Sequence, residues 1–261
     1  GGIISAEKDV RVLVSYGLKL NGVDVISRNH NIVSENNRII LDNLIERRRN
    51  FEPVAKIICK KDFWTNSFLV NSNVLDPRPE SEMLVEKVLR NSDNAKRILD
   101  LGTGSGCIAI SIALNLDGIE VIGSDISESA LRVARYNKRR HNARVNFVKS
   151  NWFDNLNGEF DIIVSNPPYL STKEFDELNL DVKNFDPKIA LMAGEKGLDC
   201  YTLIASSLSN YLKTGGRAFF EIGMGQLEDV SNIFNNNGFI RHNVWSDLNG
   251  HNRVLCVKKD A

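Results

Sequence analysis

The sequence predicts an α/β fold: a mainly parallel sheet with helices on both faces, preceded by a small N-terminal helical region and a connecting β-hairpin. Three observations carry this. From Arg97 onward short apolar runs alternate with amphipathic stretches, the rhythm of successive βαβ units. Before Pro77 the chain shows helical spacing and then a short stretch broken by Asn and Ser. A glycine-rich loop, an Asp and an Asn each directly follow an apolar run, and residues beyond the carboxyl ends of parallel strands are where such sheets bind ligands.

In order along the chain, Val10, Leu13, Val14, Gly17 and Leu18 recur at helical spacing after Ser5, which has the chemistry of an N-cap. A second helix is expected from Ser34, with Ile40, Leu41, Leu44 and Ile45 on one side. Arg47-Arg48-Arg49 closes it, cations suiting a helix C-terminus. Phe68-Leu69-Val70 and Val74-Leu75 read as a hairpin within residues 63–75. Pro77 and Pro79 then punctuate the chain. The expected division is a helical unit at residues 1–61, a hairpin linker at 62–78 and a large α/β unit at 79–261.

Within the large unit Ile98-Leu99-Asp100-Leu101 is a strand, and Gly102-Thr103-Gly104-Ser105-Gly106 a loop into an apolar helix from Cys107 to Leu116. Val121 to Asp125 is the next strand, and Ser127 caps a helix running to about His141. Further strands are expected at 145–148, 160–164, 217–222, 239–245 and 253–258, seven in all. Leu198, Tyr201, Ile204, Leu208 and Tyr211 mark an amphipathic helix, and another lies near Leu227 to Phe234.

Composition sets limits. The 261 residues are 42% hydrophobic and 25% charged, an ordinary globular balance. Lys+Arg and Asp+Glu are both 33, so no overall positive field exists to hold a nucleic-acid backbone. The local basic runs Arg47-Arg48-Arg49 and Lys138-Arg139-Arg140 read as solvated helix ends. Cys59, Cys107, Cys200 and Cys256 are scattered without metal-ligand or redox spacing. Cys107 and Cys256 lie in apolar runs and read as core, and a reducing, cytoplasmic setting is expected, with neither disulfide nor metal. No apolar run is long enough for a membrane span, and no signal peptide is visible. The chain opens Gly1-Gly2-Ile3 without Met, so a preceding segment is expected. His30, His141, His242 and His251 have no compelling partners and read as surface or loop residues.

The glycine loop is Gly-x-Gly-x-Gly, not the Gly-x-Gly-x-x-Gly of dinucleotide binders. Glycine lets backbone approach a ligand closely, and a nucleoside without a pyrophosphate fits this variant. Asp125, ending the second strand, can accept both hydroxyls of a ribose. Asn151-Trp152-Phe153-Asp154 follows the third strand, where Trp152 either lies against an adenine face or is a core aromatic. Asn166-Pro167-Pro168-Tyr169 follows the fourth. It is either a strand-ending turn or a rigid clamp for a planar nitrogen group: prolines stiffen the loop, and the Asn side chain offers one acceptor and two donors.

The glycine loop joined to Asp125 resembles class I S-adenosylmethionine-dependent methyltransferases, Rossmann-like with a mainly parallel seven-stranded sheet. With Asn166-Pro167-Pro168-Tyr169 it resembles those that modify an exocyclic or amide nitrogen. Other stretches narrow the match: Arg49 to Ala55, Asp76-Pro77-Arg78-Pro79-Glu80-Ser81-Glu82, Asp186-Pro187 before Ala190-Leu191, Gly197-Leu198 and Tyr201, Glu221-Ile222-Gly223 with Gln226, and Asp247-Leu248 with Gly250 and Arg253-Val254. From about Val10 to the C-terminus the chain resembles the HemK/PrmC family, the protein-(glutamine-N5) methyltransferases of class I peptide chain release factors.

That resemblance implies an enzyme of translation termination. Its cofactor would be S-adenosyl-L-methionine, with S-adenosyl-L-homocysteine as product. Its substrate would be the glutamine of the release factor's Gly-Gly-Gln motif, docked with help from the N-terminal helices. Carried over by position, Gly102, Thr103, Gly104, Ser105, Gly106, Asp125, Asn151, Trp152 and Asn166 would hold the cofactor. Asn166, Pro167, Pro168 and Tyr169 would hold the glutamine amide, with Asn166, Pro167 and Tyr169 catalytic. Arg78 and Glu80 would close over the cofactor side. Asp76, Ala193 and Lys196 depart from the family pattern. The rival readings are a nucleic-acid methyltransferase acting on an exocyclic amino group and a non-enzymatic cofactor-binding scaffold.

Overall fold

The computed structural model describes residues 6–27 and 32–259. Ser5, expected to cap the first helix, and His30 lie outside the described residues. Four helices open the chain: α1 (Ala6–Leu18), α2 (Gly22–Ser27), α3 (Glu35–Arg49) and the single turn α4 (Val54–Ile57). Their shared core is small, built on Leu13, Leu44 and Ile57. Of the apolar residues expected on one side of α3, only Leu44 is fully buried, while Ile40 stays exposed. Ser34 caps α3 by accepting from the Asn37 amide. The arginines at its end do more than face solvent. Arg48 pairs with Asp9 at 2.7 Å, tying α3 to α1, and Arg47 forks onto Glu52 through Nε and Nη2 at 2.8 and 2.6 Å.

The hairpin lies earlier than expected, as β1 (Lys61–Phe63) and β2 (Asn66–Phe68), turning through Trp64 with φ +55°. Leu69 and Val70 do not continue as strand. Asn137, wholly buried on a later helix, takes the Leu69 amide on Oδ1 at 2.8 Å and donates to the Leu69 carbonyl at 3.1 Å, replacing a strand partner. His141, one turn on, bonds the Ser67 carbonyl at 2.9 Å and packs on Phe68, so it is a packing residue rather than a surface one.

A 3₁₀ turn at Pro79–Ser81 and α5 (Glu82–Leu89) lead into the sheet. It comprises β3 (Arg97–Leu101), β4 (Glu120–Asp125), β5 (Val145–Lys149), β6 (Phe160–Ser165), β7 (Leu212–Glu221), β8 (Phe239–Ser246) and β9 (Asn252–Lys259). The intervening helices are α6 (Cys107–Asn115), α7 (Glu128–His141), α8 (Thr172–Asp176), α9 (Leu180–Phe185), α10 (Asp199–Leu208) and α11 (Leu227–Asn235), with a further 3₁₀ turn at Lys188–Ala190. The strand order is β5-β4-β3-β6-β7-β9-β8. All pairings are parallel except those that β9 makes with β7 and β8. The seven-stranded, mainly parallel sheet is the one expected, and every strand begins within a few residues of its expected place except β7, which starts at Leu212 rather than Arg217.

Alternate residues of the strands feed two cores. Ile98, Ile162, Val164 and Phe219 face α5 and α6, while Leu99, Ile163, Ala218 and Phe220 face α10 and α11. Each such side chain removed from water contributes roughly 1.5–3 kcal/mol. Because both faces are covered, the strands read as unbroken apolar runs. Order reverses between β3 and its neighbours β4 and β6, so a crevice opens at their carboxyl ends.

The helical region is joined to the large unit by charge. Lys56, with 3% of its side chain exposed, sets Nζ 2.8 Å from Asp76 and 2.9 Å from Asp186. It also donates to the carbonyls of Asn71 and Val74. Arg78 reaches the other oxygen of Asp186 at 3.2 Å. The acid at position 76, a departure from the family pattern, is thus one wall of a buried ion cluster. Among the described residues no helix is long and apolar enough to cross a membrane.

Candidate active site

The crevice holds two adjoining cavities. The first, about 260 Å³, lies over the ends of β3 and β4 and is lined by Gly102, Gly104, Asp125, Asn151, Trp152, Asn166 and Pro168 among others. Its far wall comes from Val74 and Leu75 and from the segment around Ile189, Ala190 and Met192. The second, about 330 Å³, is lined by Arg78, Glu80, Tyr169, Glu221 and Arg253, with Leu178 and Val182 from the α8–α9 insertion. Asn166 lines both.

The glycine loop is built from backbone. Gly102 and Thr103 donate to the Ser124 carbonyl at 2.9 and 2.8 Å, and Gly104 donates to Asp125 Oδ2 at 2.9 Å. Gly102 and Gly104 have φ of +72° and +54°, and a Cβ on either would project into open space, so the loop is a bare cradle. Asp100 braces it from below. Its Oδ2 accepts from Thr103 Oγ1 at 2.6 Å and from the Ala109 amide at 3.1 Å, while its buried Oδ1 has no hydrogen-bond partner among the described residues. Burial pushes the Asp100 carboxyl up to about 7. The remaining loop residues expected to bind cofactor turn inward. Thr103 and Ser105 are buried, the Ser105 carbonyl accepts from Asn137 at 2.9 Å, and Gly106 precedes the first turn of α6.

Asp125 spends one lone pair of each oxygen on the protein, Oδ2 on Gly104 and Oδ1 on the Ser127 amide at 2.8 Å. Each oxygen keeps a further lone pair for a ligand hydroxyl. Burial holds its pKa above the ordinary carboxylate value. Trp152 lines the first cavity and also packs against the core behind β6. Its backbone is left-handed, φ +45°, a conformation held by surroundings and common at binding sites. Phe153, the next aromatic, is pure core, stacked on Tyr211 with centroids 4.5 Å apart.

An open glycine cradle, a carboxylate with free lone pairs and an aromatic wall together fit a nucleoside. They give no groups for a metal, and among the described residues no cluster of His, Cys, Asp or Glu could hold one.

At the end of β6, Ser165 Oγ bonds the Leu101 carbonyl at 2.7 Å, fixing the strand end beside β3. Asn166 then donates from Nδ2 to Ser81 Oγ at 3.0 Å, and Ser81 donates to Glu221 Oε2 at 2.6 Å. Pro167 is buried and Pro168 half-buried. The Tyr169 carbonyl is held by Gln226 Nε2 at 2.9 Å, and Gln226 Oε1 takes the Gly223 amide at 3.0 Å. Gly197 permits this: a Cβ there would stand 2.3 Å from the Tyr169 carbonyl oxygen. Burial raises the Tyr169 phenol well above its ordinary value, so the ring is neutral.

Arg78 and Glu80 were expected on the cofactor side; they line the second cavity instead. Asp186 draws the Arg78 guanidinium away, and the 3₁₀ turn at Pro79–Ser81 faces β7 rather than the glycine loop. Ser81 and Glu221 carried no expected role. The available signal was an acid closing the apolar run Ala218-Phe219-Phe220, a costly place for a carboxylate without a purpose.

Comparison with known proteins agrees with this geometry. Residues 70–181 match the Methyltransferase small domain and residues 1–58 the PrmC N-terminal domain. A methyltransferase crystal structure from Pyrococcus furiosus has a TM-score of 0.59 at 19% identity, covering 84% of this chain and all of that one. That likeness is one of fold. A bifunctional methyltransferase of Rickettsia typhi is 38% identical over 98% of this chain and 54% of its own length. The chain therefore spans about half of that relative. A release factor glutamine methyltransferase of Geobacter sulfurreducens is 35% identical over 97% of this chain and 90% of its own length. On that match, across both the helical region and the sheet, the chain belongs to the release factor glutamine methyltransferase family.

Proposed function

We propose that this chain methylates the side-chain amide nitrogen of the glutamine in the Gly-Gly-Gln motif of class I peptide chain release factors, in the cytoplasm, and so acts in translation termination. The observation that carries this is Asn166 standing between the two cavities with its Nδ2 already committed to Ser81. Its Oδ1 is the end left to accept a hydrogen from a substrate amide.

S-adenosyl-L-methionine, when bound, supplies an electrophilic methyl group and leaves as S-adenosyl-L-homocysteine. The Gly102–Gly106 loop, Asp125, Asn151 and Trp152 would hold it in the first cavity. An amide nitrogen is a poor nucleophile because its lone pair is delocalised into the carbonyl, so placement is the main contribution the protein can make. Asn166 Oδ1 and the Pro167 carbonyl accept the two amide hydrogens, aim the nitrogen and stabilise the positive charge that grows there. Tyr169 packs on the amide plane. One amide proton leaves to solvent, balancing the methyl group that the bound cofactor would supply. Residues 1–61 dock the release factor, residues 62–78 link them to the catalytic unit at 79–261, and the balanced net charge accords with a protein rather than a nucleic-acid substrate.

Mass spectrometry of release factor after incubation with enzyme and methyl donor should find one added methyl on that glutamine. Asn166→Ala should abolish it while leaving the melting curve in place; near-normal turnover by that variant would sink the mechanism. Methyl transfer to RNA with the release factor untouched would instead make the chain a nucleic-acid methyltransferase.

A further inference from the structure

The Asn166 carboxamide can serve a glutamine amide only if its oxygen faces the second cavity. An amide that turns over presents its NH₂, and a donor there meets the substrate's own donors. Something must therefore hold one orientation.

The buried end of the side chain meets Ser81, and Ser81 meets Glu221, which is 2% exposed. An ionised carboxylate only accepts. Ser81, with a single hydrogen, gives it to Glu221 and is left to accept. It can then receive only the NH₂ end of Asn166. Polarity runs one way along the chain, from carboxylate to hydroxyl to amide, and ends with Oδ1 toward the substrate. Asn166 itself also favours the charged form of Glu221. Turning the amide over would set its oxygen against a hydroxyl oxygen and a carboxylate.

We infer that Glu221, acting through Ser81, is a positioning residue that sets which end of the Asn166 carboxamide faces the substrate. This rests on the proposed amide methylation. The pair also explains why the 3₁₀ turn at Pro79–Ser81 is stapled to the end of β7, 140 residues away in sequence.

The orientation depends on charge. Protonated Glu221 can donate, and Ser81 is then free to turn its own hydrogen toward Asn166. Burial lifts the Glu221 carboxyl to about 7, with Glu80 raising it further and Arg253, Ser81 and Asn166 opposing. The remaining ionisable groups facing it are the neutral phenols of Tyr169 and Tyr201, the latter donating to the Glu221 backbone carbonyl at 2.8 Å. Loss of the carboxylate below neutral pH should therefore cost activity.

The test is steady-state methylation of release factor between pH 5.5 and 9 by wild type, Glu221→Gln, Ser81→Ala and Ser81→Thr, with cofactor affinity and melting temperature measured alongside. Glu221→Gln should lower kcat at least roughly 10-fold, short of the roughly 100- to 1,000-fold lost when a group aimed at the reacting atoms is itself removed. Its KM for release factor should stay within about twofold, since uniform binding is untouched. The acid limb of kcat seen in wild type should vanish in Glu221→Gln. Ser81→Ala should resemble Glu221→Gln, and Ser81→Thr should keep most activity. Wild-type kcat in Glu221→Gln, or an acid limb that survives in it, overturns the inference; should that variant not fold, undiminished kcat in Ser81→Ala does the same. Transfer by wild type with undiminished variants refutes the positioning alone, whereas no transfer by wild type refutes the proposed function itself.

Discussion

The two cavities that meet at Asn166 are made of different materials. The first is built on backbone, a bare glycine cradle tied to the Ser124 carbonyl with one carboxylate, Asp125, holding loop amides, and is closed by mostly apolar side chains such as Leu75, Trp152 and Met192. The second is side chains: Arg78, Glu80, Tyr169, Glu221 and Arg253, carrying charges of both signs. Backbone walls suit a ligand that never changes, since main-chain donors are placed by the fold. Side-chain walls suit a guest delivered by another macromolecule, because their electrostatics can be tuned residue by residue. On the proposed function the molecule separates holding the methyl donor from orienting the acceptor, and Asn166 is the polar side chain that lines both cavities, beside the apolar Leu75 and Ala190.

If that separation is real, Asp125→Ala should strike the first cavity alone. It removes the acceptor for the Gly104 and Ser127 amides and for the ligand hydroxyls, and hydrogen bonds to charged groups contribute about 1.5–3 kcal/mol each. Cofactor Kd by calorimetry should weaken at least about tenfold, with KM for release factor unchanged at saturating cofactor. An equal loss on both would show that the two tasks are coupled.

A smaller effect should come from the second cavity. Arg253 favours the charged form of Glu221 and Glu80 disfavours it. Arg253→Met should move the acid limb of kcat to higher pH and Glu80→Gln to lower pH, each with less than roughly tenfold change in rate at any one pH. Shifts in the same direction would contradict the charge balance described for this cavity.

The smallest effect is on stability. Asp100 is raised to about 7 by burial, so the folded state binds a proton that the unfolded chain gives up. The stability this contributes is complete below the unfolded carboxylate value and lost as pH rises through about 7. Wild type without ligand should therefore melt lower at pH 8 than at pH 5.5. Asp100→Asn should flatten part of that slope, a matter of a few degrees at about 2–4 °C per kcal/mol for a chain this size.

Much of this site was legible in the sequence because its signals are local. The glycine loop, Asp125 and Asn166-Pro167-Pro168-Tyr169 each stand at the end of a strand, and a short apolar run covered on both faces needs only a few residues to declare itself. Ser81 and Glu221 were opaque because their meaning is a contact across 140 residues. Asp76 looked anomalous for the same reason: its partner, Lys56, sits on α4. The hairpin came earlier than expected because the Leu69 backbone pairs with a buried amide on α7 and Val70 packs on Ala130 and Val133 of the same helix, partners no periodicity reveals. Arg78 and Glu80 were assigned to the wrong cavity, since sequence order does not say toward which side of a crevice a turn points.

Lys56 has a further consequence. The helical region has little apolar core of its own, Leu13, Leu44 and Ile57, and its buried cation is matched only by oxygens from residues 71–76 and Asp186. Separating them would break all four contacts of that ammonium at once and leave Asp76 without its cation, while Asp186 keeps Arg78. The helices should therefore be less stable apart from the sheet, and heating is expected to undo both in one cooperative transition instead of peeling the small unit away first.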